Sequence, residues 1–239
     1  MTPFYQDDLI TLFHAKCEDF MAECQDKQFE LAIVDPPYFK GVATEGFYGG
    51  AKWKQGTSLE KRYKTISQWD DNIPNKKYFD LLCRISKEQI IWGVNYYSKF
   101  VDSVGRIIWD KKNDVSTFSK AEIASCSLFD SVQMFRYQWM GMIQEQMENK
   151  EIKIHPTQKP IALYRWLLQN YAKPGQTLLD THLGSGSIAI ACHDLGFKLT
   201  ACEMDLDYLT AAVNRIKNYL KQPKWFKPSA PVAEQTKLF

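Results

Sequence analysis

The sequence predicts an α/β fold with a mostly parallel sheet and helices on both faces, from three observations. Residues 160–220 alternate strand-like and helical segments at the spacing of βα units. "LLDTHLGSGSIA" puts a glycine turn between one of those strands and its helix. "ELAIV", residues 30–34, is a short apolar run that reads as a strand buried on both faces, and Asp35-Pro36-Pro37-Tyr38 stops it. Two successive prolines cannot continue a ladder or a helix, so the chain halts there rigidly with a carboxylate and a phenol at the tip.

The elements follow in order. Residues 9–22 give a short strand and then a helix, 77–86 a helix, and 89–94 and 106–110 two strands, with a further strand over 125–130. Pro160 opens a helix through about Ala172, which Pro174-Gly175 ends. Residues 176–180 form a strand, 187–195 a helix closed by Gly196, 197–203 a strand and 205–220 a helix. Residues 39–74 are long, polar and without a period, as expected of a functional loop. From Pro223 the chain reads as a flexible tail.

The 239 residues suit one large domain over 1–222 with that tail. A formal charge of +2 does not by itself argue for nucleic acid. No apolar stretch is long enough to span a bilayer, and the acidic "MTPFYQDDLI" does not read as a secretory signal. The six cysteines form no Cys-x-x-Cys pair and read as reduced thiols of a cytoplasmic protein. Neither they nor the four histidines show metal-ligand spacing, so no metal is expected.

Gly184, Gly186 and Ala189 fit G-x-G-x-x-A, with Glu203 ending the next strand where an acid can accept hydrogen bonds from ribose hydroxyls. That pattern fits NAD as well as S-adenosylmethionine, and also a turn that only connects strand to helix. Asp35-Pro-Pro-Tyr38 suggests a chemistry. An exocyclic amine of adenine or cytosine is a poor nucleophile because its lone pair is conjugated into the ring. The Asp35 carboxylate and the Pro36 carbonyl can each accept one of its N–H bonds, which aims the lone pair at an electrophilic methyl group. Pro37 stiffens that tip, and Tyr38 can stack on a base rotated out of a duplex. The plainer reading is a rigid loop in which Asp35 caps a turn.

"DPPY" resembles the catalytic motif of amino-group DNA methyltransferases, and "DTHLGSGS" resembles their cofactor loop, with His182 in place of the usual Phe. "HPTQKPIAL", residues 155–163, is similar to the segment that precedes that loop, and "IIWGVNYY" and "IIWDKKN" resemble the intermediate strands. Catalytic motif first and cofactor loop later is the circularly permuted order of the β group. The resemblance implies a Rossmann-like methyltransferase fold that uses S-adenosylmethionine and acts on DNA. It implies that Asp35 and Pro36 hold the target amine and Tyr38 stacks on the base. Asp180, His182, Gly184, Ser185, Gly186 and Ser187 would surround the methionine part of the cofactor, and Glu203 its ribose. Thr157 and Lys159 would help close that pocket, with Cys17 near the adenine. Lys16 departs from the family's Gly-Asp-Cys. An Asp-first motif goes with the N6 of adenine, a Ser-first motif with the N4 of cytosine. A homodimer is also expected, since members of this group often pair. Against these stand an NAD enzyme, which leaves Asp35-Pro-Pro-Tyr38 without a role, and a degenerate fold that only binds.

Two further segments point to partners. Residues 40–64 hold Lys40, Lys52, Lys54, Lys61, Arg62 and Lys64 against two acids, interleaved with aromatics. Cations there can neutralise phosphates while rings stack on bases, so the loop is expected to close over DNA rather than be a solvated surface loop. Residues 130–154, with Arg136 to Trp139, are a short candidate recognition segment or ordinary packing. The final "QTKLF" resembles the peptide by which bacterial DNA-processing proteins dock on the replicative sliding clamp, Leu238 and Phe239 filling a pocket and Gln235 meeting its rim.

Overall fold

The computed structural model describes residues 1–37, 74–114, 119–140 and 143–222. Tyr38, the basic loop residues Lys40, Lys52, Lys54, Lys61, Arg62 and Lys64, and the tail residues Gln235, Leu238 and Phe239 lie outside them.

The chain begins with β1 (Tyr5–Gln6), β2 (Ile10–His14), α1 (Cys17–Glu23) and β3 (Phe29–Val34). After the proline tip come α2 (Lys76–Ile85), β4 (Ser86–Trp92), a short α3 (Val94–Tyr97) and β5 (Gly105–Asp110). β6 (Ala121–Cys126), β7 (Val132–Arg136) and the small pair β8 (Trp139–Met140) and β9 (Ile143–Gln144) follow. The last third is α4 (Ile161–Tyr171), β10 (Thr177–Asp180), α5 (Ser187–Leu195), β11 (Lys198–Glu203) and α6 (Leu206–Leu220).

Nine of these strands form one sheet in the order β1-β2-β11-β10-β3-β4-β6-β5-β7. Its centre, β2-β11-β10-β3-β4, is parallel throughout. β6 runs antiparallel between β4 and β5, and β7 joins the far edge parallel to β5. Both faces of the parallel strands are apolar, because both are covered. Leu31, Ile33, Ile90, Trp92, Leu178 and Leu199 pack toward residues of α4, α5 and α6. The alternate residues Ala32, Val34, Ile91, Leu179 and Cys202 pack toward α1 and α2. Each fully buried Leu or Ile contributes roughly 1.5–3 kcal/mol.

Helix starts follow the sequence signals. Asn75 accepts the Lys77 N–H at 2.9 Å to cap α2, and Asp205 accepts from Asp207 and Tyr208 at 2.9 and 3.0 Å to cap α6. Two expectations shift. The strand expected over 125–130 runs Ala121–Cys126 instead. Its polar Glu122 obscured the pattern, because that side chain is held by ion pairs rather than packed apolar. β7 lies within the segment set aside for recognition and is an edge strand whose Val132 and Met134 remain exposed. Trp139 is buried and donates its indole N–H to the Gln158 carbonyl at 3.0 Å, a packing role, whereas Arg136 stays exposed beside Asp110.

The order of strands creates one special place. β3 passes through α2 to β4 on one side, while β10 passes through α5 to β11 on the other. The carboxyl ends of β3 and β10 therefore flank a topological switch point, where open α/β sheets leave a crevice for ligands. Asp35 follows β3 and the glycine turn follows β10.

Candidate active site

Asp35 emerges at the end of β3 with its carboxylate nearly enclosed. Its Oδ2 is held by the Lys159 ammonium, and its Oδ1 is buried with no hydrogen-bond partner among the described residues. Lys159 is 3% exposed and also pairs with Glu122 at 3.0 Å, and Glu122 in turn holds Lys111. Burial raises the Asp35 carboxyl above its ordinary range, and the pull of Lys159 does not fully offset this. Burial would do the same to Glu122, but Lys159 and Lys111 overcome it and hold that carboxyl at about 2. Lys159 is favoured in its neutral form by burial, yet its two carboxylate neighbours keep it firmly charged.

Next in the chain, Pro36 and Pro37 present their carbonyls to one buried phenol. The Tyr97 hydroxyl lies 3.1 Å from the Pro36 oxygen and also contacts that of Pro37. Gly93, at φ 76°, turns β4 sharply into α3 and so brings Tyr97 under the tip. A carbonyl oxygen has two acceptor positions, so the Pro36 oxygen retains one for a ligand.

Across the switch point, Asp180 ends β10 and accepts the His182 N–H at 2.9 Å. Burial raises its carboxyl to about 8. Gly184 and Gly186 have φ of 51° and 73°, a conformation an L side chain resists. Glu203, at the end of β11, accepts the Gly184 N–H at 2.9 Å through Oε2 and the Asp205 N–H at 3.0 Å through Oε1. Its carboxyl is raised by burial, against those two bonds. Cys17 starts α1, and burial pushes its thiol up to about 11, with Glu18 and Glu203 adding to the effect.

The serines of the loop face inward. Ser187 donates to the Lys159 carbonyl at 2.7 Å and receives Arg215 at 2.9 Å, and the Ser185 hydroxyl lies 3.1 Å from that of Ser187. Arg215 also binds the Ser185 carbonyl at 2.8 Å and Glu151 at 2.6 Å. These bonds fasten the segment before α4 to the start of α5. Thr157 turns its hydroxyl to His155 Nδ1 at 3.1 Å, and the His155 ring packs against Tyr208 and beside Gly184. His182 packs its ring against Tyr78 at 5.4 Å and contacts Thr181. Burial lowers both histidines to about 3, with Lys153 and Lys159 adding to the effect at His155, so both are neutral rings at physiological pH.

Asp35, Lys159, Ser187 and the glycine turn are thus linked through shared contacts around the switch point. Tyr97, Glu122, Arg215 and Glu151 were missed from sequence. For Glu122 the signal was an isolated acid inside a strand-like stretch, and for Tyr97 the aromatic pair in "GVNYY".

A parallel-centred sheet, a glycine turn after β10, an acid ending β11 and Asp-Pro-Pro after β3 define the Rossmann-like methyltransferase class. A family model described as DNA methylase matches residues 108–214. The type II methyltransferase M2.DpnII of Streptococcus pneumoniae is 21% identical over 248 residues, spanning 90% of this chain and 92% of that protein. The M1.HpyAVI–SAM complex superposes with a TM-score of 0.56 at 17% identity, covering 87% of this chain and all of the other. PvuII DNA methyltransferase, titled cytosine-N4-specific, gives 0.56 at 12% identity over 91% and 93% of the two chains. The structural likenesses show the fold. The family model, over less than half of the chain, and the Streptococcus pneumoniae relative make the chain similar to DNA methyltransferases.

Such methyltransferases use S-adenosylmethionine, and the residues around the switch point fit this group. Gly184 and Gly186 supply the positive φ that bends the turn after β10, Asp180 offers a buried carboxyl to a cationic ligand, and Glu203 keeps acceptor capacity for hydroxyls.

Proposed function

We propose that the protein transfers a methyl group from S-adenosylmethionine to the N6 amino group of adenine in DNA. The single observation that carries this reading is Asp35: a buried carboxylate at the switch point, one oxygen held by Lys159 and the other without a partner among the described residues. The order Asp-Pro-Pro-Tyr supports adenine. When bound, S-adenosylmethionine supplies an electrophilic methyl group. Asp35 Oδ1 accepts one N–H of the target amine and the Pro36 carbonyl accepts the other, which turns the nitrogen lone pair out of the ring plane. Tyr97 holds that carbonyl, so neither acceptor has to reorganise as charge develops. As the nitrogen forms its new bond, Asp35 Oδ1 takes the proton the amine releases, a task suited to its raised pKa. Tyr38, next after Pro37, would stack on the base.

The test is incubation with methyl-labelled S-adenosylmethionine and unmethylated DNA, followed by digestion to nucleosides. N6-methyladenine is the expected product. The second reading, methylation of cytosine N4, is favoured by the likeness to PvuII DNA methyltransferase and predicts N4-methylcytosine instead. Label in neither nucleoside would overturn both.

The Asp180 carboxyl gives this reading a pH signature. With its pKa at about 8, it is protonated at neutral pH in the free protein. A cationic ligand favours the ionised form, so affinity for S-adenosylmethionine is expected to rise with pH up to about 8 and to be accompanied by proton release. Calorimetry in two buffers of different ionisation enthalpy measures this. Asp180→Asn should bind more weakly and release no such proton; equal proton release from both proteins would contradict the assignment.

A further inference from the structure

Asp35 is one end of a line of four charges: Asp35, Lys159, Glu122 and Lys111. They come from the tip after β3, the segment before α4, the start of β6 and the residue after β5. Glu122 has no place in the transfer chemistry itself, yet it grips the same ammonium that grips Asp35, at 3.0 Å. Resting on the methyltransferase reading, we propose that Glu122 is a positioning residue, sharing Lys159 with Asp35 so that Lys159 orients the Asp35 carboxylate without weakening it as an acceptor.

An ammonium with one carboxylate partner would hold that partner tightly and make it a poor base. Glu122 divides the hold of Lys159 and adds a second negative charge close to Asp35, and both effects keep Asp35 basic. Lys111 acts in the opposite sense. It occupies the other oxygen of Glu122 and contributes positive charge toward Asp35. The remaining groups facing this line are Tyr97, Tyr164 and Asp180 around Asp35, Tyr164 also facing Glu122, Lys153 beside Lys111 and Glu122, and the neutral His155 ring, lowered to about 3, toward Lys159 and Lys153. Burial keeps both phenols protonated, and Asp180 stays protonated through the acidic range, so none of these three carries the acidic limb of a rate profile.

The two neighbours of the pair therefore have opposite signatures. In single-turnover methyl transfer measured against pH, Glu122→Gln is expected to slow the plateau rate by about 10–100-fold, the scale on which orienting partners act. It should also move the acidic limb to lower pH. Lys111→Met should move that limb to higher pH. Glu122→Asp should recover most of the rate, and dissociation constants for S-adenosylmethionine and DNA should stay within about twofold of wild type, since neither variant touches the acceptors themselves. A role in packing alone would slow or unfold the protein without opposed shifts. Limbs that do not move, or that move together, would overturn the proposal. If Glu122→Gln does not give a cooperative melt, the upward shift in Lys111→Met decides it. Wild-type protein without any methylated product would end the methyltransferase reading; active wild type with unshifted variants would end only this inference.

Discussion

Lys159→Met is expected to lower the free energy of unfolding by about 3–5 kcal/mol and to abolish methyl transfer. Lys159 is almost fully enclosed and is the cation shared by Asp35 and Glu122. A methionine fills the space of the stem but leaves two carboxylates facing one another with little water. They respond by binding protons, and a protonated Asp35 would offer a donor where the proposed chemistry needs an acceptor. The effect has a definite pH sign. In the wild type the Glu122 carboxyl is held at about 2, below its unfolded value, so its contribution is present above the ordinary carboxylate range and is lost as pH falls toward about 2. The gap between wild type and variant should therefore be widest at neutral pH and narrow as the solution is acidified below about 4.5. Urea denaturation at several pH values measures it. A gap independent of pH would place the cost in packing rather than in charge.

Gly105→Ala is expected to cost about 3 kcal/mol or more, the upper end of what forced overpacking does. Gly105 opens β5, and a Cβ there would lie 1.9 Å from the Phe129 carbonyl oxygen and 2.6 Å from that of Cys126. Both are backbone atoms belonging to the end of β6 and the turn after it, so relief requires moving the sheet. Gly196 is the useful comparison. It has φ 75° with nothing within 4 Å of an added Cβ, so Gly196→Ala should cost only about 1–2 kcal/mol, from backbone strain alone. Denaturation midpoints for the two variants test this, and a Gly105→Ala protein as stable as Gly196→Ala would show that β5 can yield.

The last third of the chain was legible because its signals are local. Strand, glycine turn, helix, glycine cap, strand and capped helix follow one another from Thr177 to Leu220 with few tertiary demands on the pattern. The proline tip was legible for the same reason, since Pro36 and Pro37 restrict the backbone wherever they occur. What could not be read is what long-range contacts decide. Lys159 was expected to close the cofactor pocket; its carbonyl does meet Ser187 of the loop, but its ammonium reaches the carboxylates of β6 and of the tip after β3. No spacing announces that Tyr97 supports two proline carbonyls or that Arg215 joins Glu151 to Ser185. Polar residues that serve such contacts also disturb the period from which strands are read, which is why β6 was displaced along the sequence.

On the proposed chemistry, transfer depends on Asp35 as the acceptor of the target amine. The most direct measurement is the single-turnover rate of methyl transfer by wild type and Asp35→Asn, each saturated with S-adenosylmethionine and DNA. Asn keeps the shape but offers one acceptor oxygen where the carboxylate offers two, and it cannot take the proton. Asp35→Asn is expected to bind both substrates and to transfer at least about 10²–10³-fold more slowly, the scale of losing one preorganised electrostatic partner at the reacting centre. A rate within a few fold of wild type would contradict it and return Asp35 to the role of a buried turn residue.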